Sequence, residues 1–151
     1  MFYYNQYIRA KSLEEAYELY QKRQNFIVGG MLWTKMKNTT LGTAIDLCEL
    51  GLDGIEENEN EFRIGAYVSL RDIETNESLN KYTDNAFANS VKDIVGVQFR
   101  NVATVGGSIW GRYGFSDVMT IFRALGAKVE LFHEGIMELD DFVKLPREGQ
   151  P

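Results

Sequence analysis

The stretch SLEEAYELYQKRQNFIVGG, Ser12 to Gly30, constrains the fold more than any other part of the chain. Ser12 precedes Glu15 by three residues, the spacing at which a hydroxyl caps a helix and a carboxylate reaches back to the main chain. Leu13, Ala16, Tyr17 and Tyr20 then recur on one helical face. The helix leads directly into Phe26-Ile27-Val28, a short apolar strand that ends on Gly29-Gly30. Helix, strand and glycine turn in succession mark an α/β layer, and they place the glycine pair at a strand's carboxyl end, where such folds bind ligands.

The remaining segments extend this pattern. TAIDLCEL and LDGIEE read as short strands joined by Gly51, and the acidic run Glu56 to Glu61 as a solvated hairpin tip. Ser69 caps a short helix. A longer helix follows over residues 79–94, with Leu79, Tyr82, Phe87, Val91 and Ile94 available for burial. Ser116 caps a helix that turns Val118, Ile121, Phe122 and Leu125 inward and stops at Gly126. A final hairpin turns through Glu134-Gly135. A boundary near Gly54 to Glu61 divides the chain into a small lobe, residues 1–54, and a larger one, residues 55–151.

Composition narrows the function. With 151 residues, 44% of them apolar and 25% charged, the chain buries a proper core. A formal charge of -6, with Lys35, Lys37, Arg100 and Arg112 scattered, argues against nucleic-acid binding. Cys48 is the only cysteine, which excludes an intrachain disulfide and any thiolate-held zinc or iron–sulfur site. It stands among Ile45, Leu47 and Leu50 and reads as a buried, inert thiol. His133, the only histidine, reads as a surface residue, and no EF-hand spacing offers a carboxylate metal site. The N-terminus lacks a signal peptide's charged head, and no apolar run approaches the ~18 residues of a membrane span, so the expectation is a cytoplasmic protein without membrane contact.

Standard catalytic signatures are missing. GGSIW is no nucleophile elbow, because Trp110 stands where the second glycine belongs, and neither glycine pair makes a Walker or dinucleotide fingerprint. Gly29-Gly30 and Gly106-Gly107 remain. Turns without Cβ let main-chain N–H groups approach phosphate oxygens, and Thr104 and Ser108 add hydroxyls beside the second pair. Two such turns suit the two halves of a diphosphate in an acidic protein; tight turns or close packing explain the same glycines, and spacing does not decide between them.

Longer blocks carry more information. IVGGMLWTKMK, IGAYVSLRDIE and VGVQFRNVATVGGSIWGRYGFSDVMTIFRALGAKVEL resemble, in this order, the FAD-binding subunit of xanthine dehydrogenase-type molybdenum hydroxylases, a family that includes the flavoprotein subunit of carbon monoxide dehydrogenase. The most specific element is R-N-x-x-T-V-G-G-S, followed at fixed distance by Ser-Asp. The resemblance implies an α+β fold of the p-cresol methylhydroxylase type, two-lobed, with FAD in the cleft. By position, Val28, Gly29, Gly30, Met31, Leu32 and Trp33 wrap the diphosphate from the small lobe, and Thr104, Gly106, Gly107 and Ser108 hold it from the large one. Ser116 and Asp117 match the pair that reaches FAD's polar groups; Ile94, Val95 and Val102 match apolar positions around the adenine half.

Where relatives continue Gly-Gly-Thr/Ser-Asp/Glu, this chain has Met31-Leu32 and a loop about one residue shorter, so the loop relies on main-chain donors. The family's subunit is also longer, with further strands, residues beside the isoalloxazine ring and a C-terminal domain that this chain lacks. The resemblance further implies a flavin relay with no catalytic acid or base of its own. The 2Fe–2S clusters and the molybdenum cofactor sit on partner subunits, electrons pass to NAD+ or another acceptor, and purines are the expected substrates. The alternative is an assembly scaffold that no longer binds FAD.

Overall fold

The computed structural model describes residues 2–146. Three parallel strands form the first layer: β1 (Phe2–Arg9), β2 (Phe26–Val28) and β3 (Thr39–Asp46), in the order β1-β3-β2. Ile45 in the centre pairs with Ile8 on one side and Ile27 on the other. Helix α1 (Leu13–Tyr20) covers this sheet. Ser12 caps it by accepting the Glu15 N–H at 3.1 Å, and the Glu15 carboxylate accepts the Lys11 N–H at 2.8 Å. Ala16 is the helix residue fully buried, against Ala10, Ile45 and Leu47. Leu13, expected on the inner face, is exposed, and Tyr17 turns aside to meet Phe132.

Two expected strands change shape. TAIDLCEL is a strand only as far as Asp46. There the Asp46 carboxylate accepts the Cys48 N–H at 2.9 Å and the Tyr67 hydroxyl accepts the Leu47 N–H at 3.0 Å, which turns the chain off the ladder. Leu47 points inward, and Cys48 is exposed, not buried as its neighbours suggested. LDGIEE contributes only β4 (Ile55–Glu57), which pairs with β5 (Phe62–Ile64) in a separate hairpin whose acidic tip is held by Asn58.

The second body is largely helical. Ser69 and Asp72 form a full capping box on α2 (Leu70–Thr75). The expected long helix is two, α3 (Glu77–Tyr82) and α4 (Ala86–Val91), separated by left-handed Asp84 and Asn85. Buried Asn80 explains the break. Its amide donates to the carbonyls of Ile73, Glu74 and Asn76, and its oxygen accepts the Ala88 N–H at 2.8 Å. Tyr82 consequently points to solvent. The chain continues through α5 (Val97–Arg100), α6 (Val105–Gly111) and α7 (Asp117–Ala124), the hairpin β6 (Lys128–Leu131) and β7 (Gly135–Glu138), and α8 (Leu139–Lys144). Ser116 caps α7 as expected, but Leu125, beyond its end, is exposed.

Buried side chains fall into two clusters. The smaller joins Ala10, Ala16, Ile45 and Leu47; the larger includes Val68, Ile73, Phe87, Val105, Val118 and Phe142. No described helix is long and apolar enough to cross a membrane.

Candidate functional site

The two glycine segments meet. Strand β2 ends at buried Val28, whose carbonyl accepts the Tyr67 hydroxyl from the larger body. A Cβ on Gly29 would stand 3.4 Å from Thr104 Oγ1, and one on Gly30 would lie 1.9 Å from the Val102 carbonyl oxygen. Gly30 is therefore glycine because two backbones cross there. Met31 follows at φ 55, in the left-handed region that costs a side-chain-bearing residue energy. A single 3-10 turn, Thr34–Met36, is closed by the Met36 N–H bond to the Trp33 carbonyl at 3.2 Å and the Lys37 N–H bond to the Thr34 carbonyl at 3.0 Å, and the Lys35 N–H ties it back to the Met31 carbonyl at 2.9 Å. Leu32 packs against the larger core while Trp33 stays half-exposed. Among the described residues, the N–H groups of Gly29, Gly30, Met31, Leu32 and Trp33 donate to no acceptor.

The second segment is built differently. Thr104 caps α6, and its hydroxyl accepts the Gly107 N–H at 3.1 Å. Gly106 donates to the Ala66 carbonyl at 2.9 Å, and a Cβ there would strike Ala66 at 2.6 Å. Ser108 directs both its N–H and its hydroxyl to the Thr104 carbonyl. These main-chain donors are engaged, so the two glycine turns are not equivalent. The first is a row of unengaged amides; the second contributes shape and the Thr104 hydroxyl. Gly107 is exposed, and a Cβ on it would meet only Thr104 Oγ1, at 2.9 Å.

Around this junction, Trp33 lies 5.3 Å from Tyr113 and 6.2 Å from Phe115, while Tyr113 and Phe115 stack at 5.3 Å and 19°. Ser116 uses its hydroxyl to accept the Met119 N–H at 3.1 Å. Asp117 is exposed, and its carboxylate has no partner among the described residues. Ile94 packs against the larger core, whereas Val95 and Val102 are exposed.

Two further residues position the site, Tyr67, which carries no sequence signal, and Arg100, whose motif did not disclose its role. Tyr67 reaches across to the smaller core and binds the ends of β2 and β3; burial pushes its hydroxyl up to about 12. Arg100, within the R-N-x-x-T block, is buried and makes a two-pronged pair with Glu74 at 2.7 and 3.2 Å, while also donating to the Ile94 carbonyl. The Arg100 guanidinium holds the Glu74 carboxyl below its ordinary value. The pair fixes the turn that leads to Thr104.

This set fits a diphosphate. Its oxygens accept hydrogen bonds only, and here five consecutive N–H groups are without an acceptor, beginning at Gly29, which stands beside the Thr104 hydroxyl. Residues 3–150 match the family described as the FAD binding domain in molybdopterin dehydrogenase. The chain belongs to this family. FAD is thus the cofactor of its fold, and the chemistry at the junction suits it. Among curated proteins the chain is 26% identical over 145 residues to an uncharacterized protein, YgfM, of Escherichia coli K12, covering 93% of this chain and 54% of that one. Among solved structures it resembles a chain of the Cu,Mo-CO dehydrogenase, with a TM-score of 0.81, 26% identity and coverage of 91% and 51%. A chain of quinoline 2-oxidoreductase from Pseudomonas putida 86 shares the fold at a TM-score of 0.79 and 19% identity, covering 95% and 52%. The mixed α/β fold is therefore that of FAD-binding subunits in molybdenum hydroxylases, and the chain spans about half the length of the relatives it matches.

Proposed function

We propose that this chain is the FAD-holding part of an electron-transfer subunit in a xanthine dehydrogenase-like molybdenum hydroxylase. The carrying observation is the row of unengaged amides from Gly29 to Trp33, set against Thr104. In this reading the small lobe, residues 1–54, and the larger lobe, residues 55–151, are the halves of a p-cresol methylhydroxylase-type fold. Val28 to Trp33 grip the diphosphate; Thr104 adds a hydroxyl donor, Gly106 and Gly107 leave room, Ser108 holds the turn, and Ser116 and Asp117 lie at the start of α7.

FAD supplies the redox chemistry when bound, accepting electrons from 2Fe–2S clusters on a partner subunit and passing them to NAD+ or another acceptor. The chain's own residues bind and orient. Main-chain N–H dipoles stabilise the charge of the diphosphate, so no lysine or arginine is required at the turns. Purine substrates, turned over at a molybdenum cofactor on a third subunit, and a cytoplasmic location complete the reading. The resemblance across the whole chain supports these finer assignments. Purifying the chain with added FAD tests the core of it. Stoichiometric flavin absorbance after gel filtration is the expected result. A folded, colourless protein that ignores FAD would leave the scaffold reading in its place.

A further inference from the structure

We propose that Arg112 is a positioning residue for the flavin nucleotide, tying the turn between α6 and α7 to the last turn of α8, an inference that rests on the flavin reading above. Arg112 follows α6 directly and is buried, at 6% exposure, although it carries a charge. Its backbone stands at φ 46, the left-handed region that a side-chain-bearing residue occupies at an energetic cost. Such a conformation persists only where the surroundings over-determine it. Here they do so through the guanidinium. Nη1 donates to the Leu145 carbonyl at 2.7 Å, with the Phe142 and Pro146 carbonyls each at 3.4 Å. The guanidinium carbon lies 4.6 Å from the centre of the Phe142 ring. The last carbonyls of a helix have no partner within it, and a cap is ordinarily found in the next residues of the chain. One drawn from 33 positions away, out of a strained backbone, serves the turn that carries it as much as the helix it closes.

That turn reaches the site by two routes. Tyr113, the next residue, packs over Gly111, where a Cβ would lie 2.8 Å from its ring, and against Trp33 at 5.3 Å. Trp33 ends the row of unengaged amides, so the Tyr113 ring sets where that end of the row stands. On the other route, the Tyr113 carbonyl accepts the Ser116 N–H at 3.1 Å, and Ser116 with Asp117 opens α7. Withdrawing the guanidinium releases the turn, and both routes loosen together. Arg112 faces α8, so it acts on the nucleotide only through these residues.

The test is calorimetric titration of FAD into the full chain as parent, Arg112→Gly and Arg112→Lys. Glycine suits the left-handed backbone, and lysine keeps the charge without the fork. In protein that far-ultraviolet circular dichroism shows to be folded, both variants are expected to weaken FAD binding by about 10-fold, the worth of one hydrogen bond to a charged group. The visible circular dichroism of the flavin at saturating FAD is expected to change as well, because the nucleotide is held differently. A residue that only caps α8 would lower the melting temperature and leave both readings at their parental values, and that outcome overturns the proposal. Where the variants do not fold, hydrogen exchange on the parent decides. FAD is expected to slow exchange in the last turn of α8 as well as in residues 112–116, since coupling between the two is reciprocal. An α8 that exchanges identically with and without FAD overturns the proposal too. A parent that binds no FAD sinks the flavin reading, and this inference with it; a folded variant with parental affinity sinks this inference alone.

Discussion

Gly30 and Gly107 are the same residue for different reasons, and substitution separates them. At Gly30 a Cβ would lie 1.9 Å from a backbone oxygen that cannot move aside, so Gly30→Ala forces the two segments apart. The expected result is a loss of about 1–3 kcal/mol in urea unfolding, together with loss of flavin. At Gly107 a Cβ meets only the end of the Thr104 side chain. Gly107→Val is therefore expected to melt within a few degrees of the parent by circular dichroism while retaining no FAD. A folded variant with full flavin content would remove Gly107 from the diphosphate site. Asp117→Ala, at an exposed position, is expected to weaken FAD binding with an unaltered melting curve; equal dissociation constants would deny the carboxylate its role. Tyr67→Phe removes a hydroxyl shared by the Val28 carbonyl and the Leu47 N–H. It is expected to cost about 1–3 kcal/mol of stability, because buried main-chain groups lose their partner. Residues such as Tyr67 are illegible in the sequence, since its two partners lie 39 and 20 positions away. Gly30 and Gly106 were legible because few other residues fit where backbones touch.

At the level of elements, local chemistry was legible and tertiary chemistry was not. The caps at Ser12, Ser69 and Ser116 formed where their spacing predicted, because each bond closes within three residues. The helix expected over residues 79–94 broke because the Asn80 side chain competes with main-chain helix bonding through partners on either side of the break. Asn80→Ala would leave three carbonyls and one N–H without that partner, and a loss of at least about 1–3 kcal/mol in urea unfolding is expected; an unchanged midpoint would show that the break has another cause. Strand β1 escaped notice for a related reason. Tyr3, Tyr4 and Tyr7 are all exposed, so no alternation of apolar and polar residues marks it, and only pairing with β3 makes it a strand. Cys48 was misplaced because its apolar neighbours suggested burial, whereas the Asp46 turn rotates it outward.

Across the whole molecule, the site depends on two bodies keeping register, and one buried ion pair bears on that register. Glu74 on α2 and Arg100 on α5 are both nearly closed to water, with side-chain exposures of 12% and 6%. Arg100 also holds the Ile94 carbonyl, so the pair braces the chain between Ile94 and Thr104 that presents the second glycine segment. Breaking it leaves an uncompensated buried guanidinium, and Glu74→Gln is expected to cost about 3–5 kcal/mol at neutral pH. The pH dependence follows from the direction of the Glu74 shift. Its folded-state value lies below the unfolded value of about 4.3. The contribution is therefore complete above that unfolded value and disappears as pH falls through the lower folded one. Urea unfolding of parent and Glu74→Gln at a series of pH values should show a wide gap at pH 7 that narrows in acid, once the parent's carboxyl is protonated and both chains carry the same uncompensated arginine. A gap that stays constant into acid would mean that the charge on Glu74 contributes nothing, and that its packing alone holds α2 against α5.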